Sequence, residues 1–255
     1  MPHKRLCDML GRTPAERSCM LASLLVGVVL MNVLALALVV ARSRVFHTAL
    51  YRPMLLNLAL SVAPLLVLVG GIAFVVLARL VLPGLVVGLL LVLVGAVWLL
   101  LLPNAGYLIT ELNLSHRRDD DGVPMWFDVV LVVSLAMSGV LNTVLNVFAA
   151  QLVWVIQVHG DEAAPLQSLD ARLIVVAILV LVSFGMYLGR SVRLNSWDVR
   201  HPRSLVGKVA DHLRSPGAVG NALGFTFLHA VFLGIIYLVV VGPVVAGLIA
   251  LEEAR

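Results

Sequence analysis

Charge is scarce in this chain. Asp, Glu, Lys and Arg together supply 13% of its residues, where soluble domains carry roughly 25%. With 61% hydrophobic residues and a mean hydropathy of +1.06, water is excluded as the main solvent of its surface. Cysteine is nearly absent too: Cys7 and Cys19 stand near the N-terminus in no metal or disulfide spacing, so neither a zinc site nor a disulfide framework is indicated. The chain carries no phosphate-binding glycine loop, no nucleophile elbow and no His-rich metal set, and it calls for no cofactor. A net charge of +4 and a pI near 9.5 would suggest nucleic acid in a soluble protein. Here the cations flank apolar blocks, which makes membrane lipid the expected partner instead.

What is abundant is long apolar sequence. Uncharged blocks run over 19–41, 54–77, 81–102, 129–156, 173–189 and 222–250, and none contains Asp, Glu, Lys or Arg. Most reach the ~20 residues needed to cross hydrocarbon. The expected fold is all-α, a polytopic membrane bundle of about six helices forming a single transmembrane domain over 1–255, because backbone in lipid must satisfy its own hydrogen bonds. Lys4, Arg5, Arg12 and Arg17 precede the first block as in a signal peptide, but that block is too long for the usual apolar region of one. The blocks 129–156 and 222–250 exceed the ~30 Å core and must tilt, kink or project, Pro243 being a candidate kink.

Six crossings put the loops 42–53, 103–126 and 190–221 on one side, here termed the motif face. Those loops hold 11 of the 18 Lys and Arg residues. The positive-inside rule then places the motif face in the cytoplasm, while the basic N-terminal segment argues for the reverse orientation.

The motif face carries the most distinctive residues. They are the run Leu102-Pro103-Asn104-Ala105-Gly106-Tyr107-Leu108-Ile109-Thr110-Glu111-Leu112, then Trp126-Phe127-Asp128, then Gly189-Arg190 followed by Arg193-Leu194-Asn195-Ser196-Trp197-Asp198. A weaker fourth element is Leu56-Asn57-Leu58-Ala59-Leu60 with Pro64. This pattern resembles the bacterial integral membrane proteins catalogued as domain of unknown function 1361. Leu56 stands where that family has an aromatic, and Gly106 where it has Pro two residues after Asn104. The resemblance implies a bacterial polytopic protein and supplies no activity.

The same residues have direct physical readings. Tyr51, Tyr107, Trp126 and Trp197 flank spans as rings of an aromatic belt do. Asn104 directly after Pro103 suits a helix stop that bonds freed backbone groups. Glu111, Asp128 and Asp198 are carboxylates on the side of Arg190 and Arg193, arranged either as ion pairs or as a polar site. Together Asn104, Tyr107, Glu111, Asp128, Arg190, Asn195 and Asp198 are expected to form one interfacial site. Asp119-Asp120-Asp121-Gly122 departs from a calcium loop at both ends and reads as a solvated turn, and no metal role is assigned to it or to His116.

Inside the membrane the signal is polar but uncharged. Ser134, Ser138, Asn142 and Asn146 recur every four residues and span an arc of about 120° on one helix. In the fifth block Ser183, Tyr187 and Arg190 line one side, while Gly185 and Gly189 form a small pair on another that lets a neighbouring helix approach. Asn57 with Ser61, and Thr226 with His229, add two short polar sets. Three functional readings stay open: a polar interfacial surface for a lipid headgroup, small ligand or partner protein; an enzyme on a lipid-linked substrate using Glu111, Asp128 or Asp198; and a facilitator of a small polar solute along the stripe. The absence of Asp, Glu and Arg from the six blocks counts against an ion-coupled pump. The sequence assigns no oligomeric state.

Overall fold

A computed structural model describes residues 14–50, 52–111, 122–160, 162–192 and 202–253. Each apolar block is helical, and no strand occurs among the described residues. The order is α1 (Pro14–Val45), α2 (Arg52–Ala78), α3 (Gly84–Leu101), a short α4 (Pro103–Tyr107) continued by a 3-10 turn (Leu108–Glu111), α5 (Met125–His159), a 3-10 turn (Ala164–Gln167), α6 (Leu169–Ser191), α7 (Pro202–Arg214) and α8 (Ala218–Glu253). Six stretches are long and apolar enough to cross a membrane: Leu21–Val45, Arg52–Ala78, Gly84–Thr110, Met125–His159, Leu169–Ser191 and Ala218–Glu253. The chain is thus a multi-pass, all-α membrane protein. Helices α5 and α8, of 35 and 36 residues, are each about 50 Å long and outreach the hydrocarbon core. Pro64 and Pro243 both sit inside continuous helices.

Two features differ from the sequence reading. The third span does not end at Leu102 but continues through a break at Pro103 to Thr110. The last loop of the motif face contains α7, a helix not foreseen in the sequence.

The bundle is built around α5. Of its most apolar stretch 67% is buried, against 44% for α6 and 28% or less for the others. This central position explains why α5 can carry polar groups that lipid would reject. Ser134, Ser138, Asn142 and Asn146 are all buried. The amides of Asn142 and Asn32 on α1 donate to each other at 3.0 and 2.9 Å. Asn142 also donates to Ser61 Oγ on α2 (2.9 Å), and Ser61 in turn donates to the Ala105 carbonyl (3.1 Å). One turn on, Asn146 accepts from Trp98 Nε1 of α3 at 2.9 Å and donates to the Asn142 carbonyl at 2.8 Å. Ser138 instead bonds back to Leu135 O in its own helix at 2.7 Å. Asn142→Ala should therefore cost about 1–2 kcal/mol, since it removes bonds to α1 and α2 together. Ser138→Ala, which severs no bond to another helix, should cost clearly less. Unfolding equilibria in mixed micelles give both values, and equal losses would refute the cross-helix role of Asn142.

Candidate functional site

The site starts from one missing N–H. Pro103 cannot donate to the carbonyl a turn earlier, so α3 cannot continue in register. Leu102 N still reaches Trp98 O at 2.9 Å, but Ala105 N turns to Leu102 O at 3.0 Å, a tighter pattern that leaves Leu101 O without its usual donor. Asn104 Nδ2 supplies that donor at 3.0 Å. Further along, Ser61 Oγ covers the Ala105 carbonyl and Thr110 Oγ1 donates to Tyr107 O at 2.8 Å. The polar side chains around the break thus satisfy carbonyls that its tightened turns release.

Glycines make room for this segment between α5 and α6. A Cβ on Gly139 would lie 2.9 Å from both the Ala105 oxygen and Leu108 Cβ. One on Gly185 would overlap the Pro103 ring, and one on Gly189 would come within 3.3 Å of Tyr107 Cε2. The small pair of α6 therefore receives α4, whose Ala105, Gly106 and the following Leu108 are buried. This close seating carries the 3-10 turn to the motif face, beside the end of α6.

There Arg190 donates from Nη1 to Thr110 O at 2.5 Å. Tyr107 packs against Gly189, one residue before Arg190. The structure thus brings Tyr107, Thr110 and Arg190 together. Asp128 lies in the first turn of α5, buried, and its carboxylate takes a different partner: Arg42 Nε donates to Oδ1 at 2.9 Å. Arg42 is itself fixed by the α1–α2 turn, where His47 adopts φ 54° and Thr48 accepts from Arg42 Nη1 (3.2 Å) while donating to Arg42 O (3.1 Å). Phe46 and Phe127 meet edge-on at 5.0 Å beside the pair. The second oxygen, Asp128 Oδ2, is buried with no hydrogen-bond partner among the described residues. Asn104 is engaged with backbone as described. Glu111 closes the 3-10 turn, and its side chain lies outside the described set; Asn195, Asp198, Tyr51, Trp197 and the turn 119–121 lie outside the described residues.

Arg42 and Thr48 belong to no motif, and Thr110, within the motif run, meets Arg190 through its backbone carbonyl. A signal existed for Arg42: it is the first cation after one apolar block and Asp128 the last anion before another, so the two stand at the same membrane depth. For Asn32 the signal is that a lone Asn in an apolar span needs a partner, whereas nothing in the sequence pairs Trp98 with Asn146. On the opposite face Asp170 accepts from Trp154 Nε1 at 3.0 Å and meets His159 Nε2 at 2.8 Å. Among the described residues no three His, Cys, Asp or Glu side chains are placed to hold a metal ion.

Residues 56–236 match the model of the family described as protein of unknown function (DUF1361), and the chain belongs to that family. No curated protein and no solved structure matches it.

Proposed function

We propose that this DUF1361 family member sits in the cytoplasmic membrane of a bacterium and binds the phosphate-bearing headgroup of a membrane lipid at its motif face, with Arg190 as the principal contact. The observation that carries the reading is the unequal treatment of the two arginines. Arg42 is matched to the buried carboxylate of Asp128. Among the described residues the exposed Arg190 is committed through Nη1 alone, to a backbone carbonyl. Guanidinium has five N–H donors in a fork that fits phosphate in two-pronged fashion, and among the described residues four of them have no partner and can take an anion. In this reading Asn104 is a positioning residue that shapes the break, and Tyr107, Glu111, Asn195 and Asp198 supply hydroxyl, carboxylate and amide groups to the rest of the headgroup. Asp128 acts through Arg42, holding α5 to the α1–α2 turn.

Native mass spectrometry of the protein released from its membrane tests this reading. The expected result is a retained phospholipid whose affinity falls about tenfold or more in Arg190→Gln, as loss of charge-assisted bonds requires, and falls less in Arg190→Lys. Single replacement of Glu111 or Asp198 should also weaken retention while membrane insertion stays intact. An unchanged lipid complement in Arg190→Gln would count against the site.

A further inference from the structure

Helix α7 joins two membrane-crossing helices. It ends at Arg214, and the turn at Ser215-Pro216-Gly217, with Gly217 at φ 79° and Ala218 N bonded to Ser215 O (3.1 Å), leads directly into α8. His212 Nε2 lies 2.9 Å from Tyr187 Oη, near the end of α6. With only three residues between it and α8, and an anchor on α6, α7 is held beside the motif-face ends of two membrane-crossing helices.

Its residues are sorted by side. At 100° per residue Val206, Val209, Ala210 and Leu213 fall within an arc of about 100°, and Lys208, Asp211, His212 and Arg214 all fall outside it. The protein covers that apolar arc only in part: Val209, Ala210 and Leu213 are half-buried, whereas Val206 is 66% exposed. The side chains of Asp211 and Arg214 are 77% and 79% exposed, and pair with each other at 3.2 Å. The connection 190–221 holds six Lys or Arg residues against two Asp. An amphipathic helix at this place, with Lys208 and Arg214 outside its apolar arc and an uncovered apolar edge, matches the chemistry of an anionic bilayer surface.

We propose that α7 is a membrane-surface helix seated in the headgroup layer, with Val206 at the acyl boundary and Lys208 and Arg214 toward anionic lipid headgroups. This is independent of Arg190, since it concerns the bilayer around the protein and not a ligand held by the bundle. The test uses the full chain with Cys7 and Cys19 replaced by Ser, reconstituted in vesicles of phosphatidylcholine with or without phosphatidylglycerol, and a fluorophore at Val206→Cys or Asp211→Cys. The expected result is that a quencher carried on the lipid chain acts several-fold more strongly at position 206 than at 211, and a water-soluble quencher shows the opposite order. Equal access of the aqueous quencher to both positions, or shielding of position 206 from both quenchers, overturns the proposal. In a second arm, the phosphatidylglycerol retained on extraction should fall several-fold in Lys208→Gln/Arg214→Gln with phosphatidylcholine unchanged. Equal retention of the two lipids in both proteins overturns the anionic preference.

Discussion

Arg42→Met is expected to lower folding stability by about 3 kcal/mol or more, because it leaves the Asp128 carboxylate buried without its cation. Asp128 Oδ2 already has no hydrogen-bond partner among the described residues, so loss of Arg42 strands a carboxylate that is incompletely satisfied to begin with. Adding Asp128→Leu to Arg42→Met should recover most of that loss, since an apolar pair of similar bulk no longer carries a stranded charge. Equilibrium unfolding of the single and double variants measures the coupling directly. A loss below about 0.5 kcal/mol in Arg42→Met would mean that the pair behaves as a solvated surface contact.

Gly139→Ala and Gly185→Ala should each cost about 1–3 kcal/mol through overpacking, and both should also weaken lipid retention. The obstacle decides the size of the effect. At Gly139 the added Cβ meets a backbone oxygen, and at Gly185 it meets the stiff ring of Pro103, so α4 itself must move. At Gly106 the obstacle is the flexible end of Met186, which can rotate away, and Gly106→Ala should be milder. Gly70→Ala meets nothing within 4 Å and serves as the control, expected to be neutral or slightly stabilising. Thermal unfolding of the four variants in one detergent gives the ranking. If Gly139 and Gly185 behave like Gly70, α4 is not clamped as described.

Much of the fold was legible because hydrocarbon imposes a simple rule: apolar blocks of sufficient length, free of charge, become helices. The break at Pro103 was visible as a proline after an apolar run, but its outcome was not. Whether the chain leaves the membrane there or continues depends on whether Ser61 and Asn104 can take up the released carbonyls and whether Gly139 and Gly185 make space, and these groups come from other helices or sit at a geometry that sequence order does not give. The small pair Gly185 and Gly189 did announce a close neighbour; the identity of that neighbour, Pro103 to Tyr107, is a tertiary fact. The same holds for Arg42 and Asp128, 86 residues apart. Helix α7 is hard to read from sequence because the charged composition of 190–221 masks a short helical period in Val206, Val209, Ala210 and Leu213.

The most direct measurement of the proposed headgroup site is an experimental density map of the protein in lipid nanodiscs, read around the Arg190 guanidinium. A phosphate-sized feature is expected within hydrogen-bonding reach of Arg190, beside Tyr107 and the Thr110 carbonyl, continuous with acyl-chain density along α6. A guanidinium capped by the carboxylate of Glu111 or Asp198, with no lipid phosphate near it, would contradict the account and leave these residues a purely structural tie between the loops.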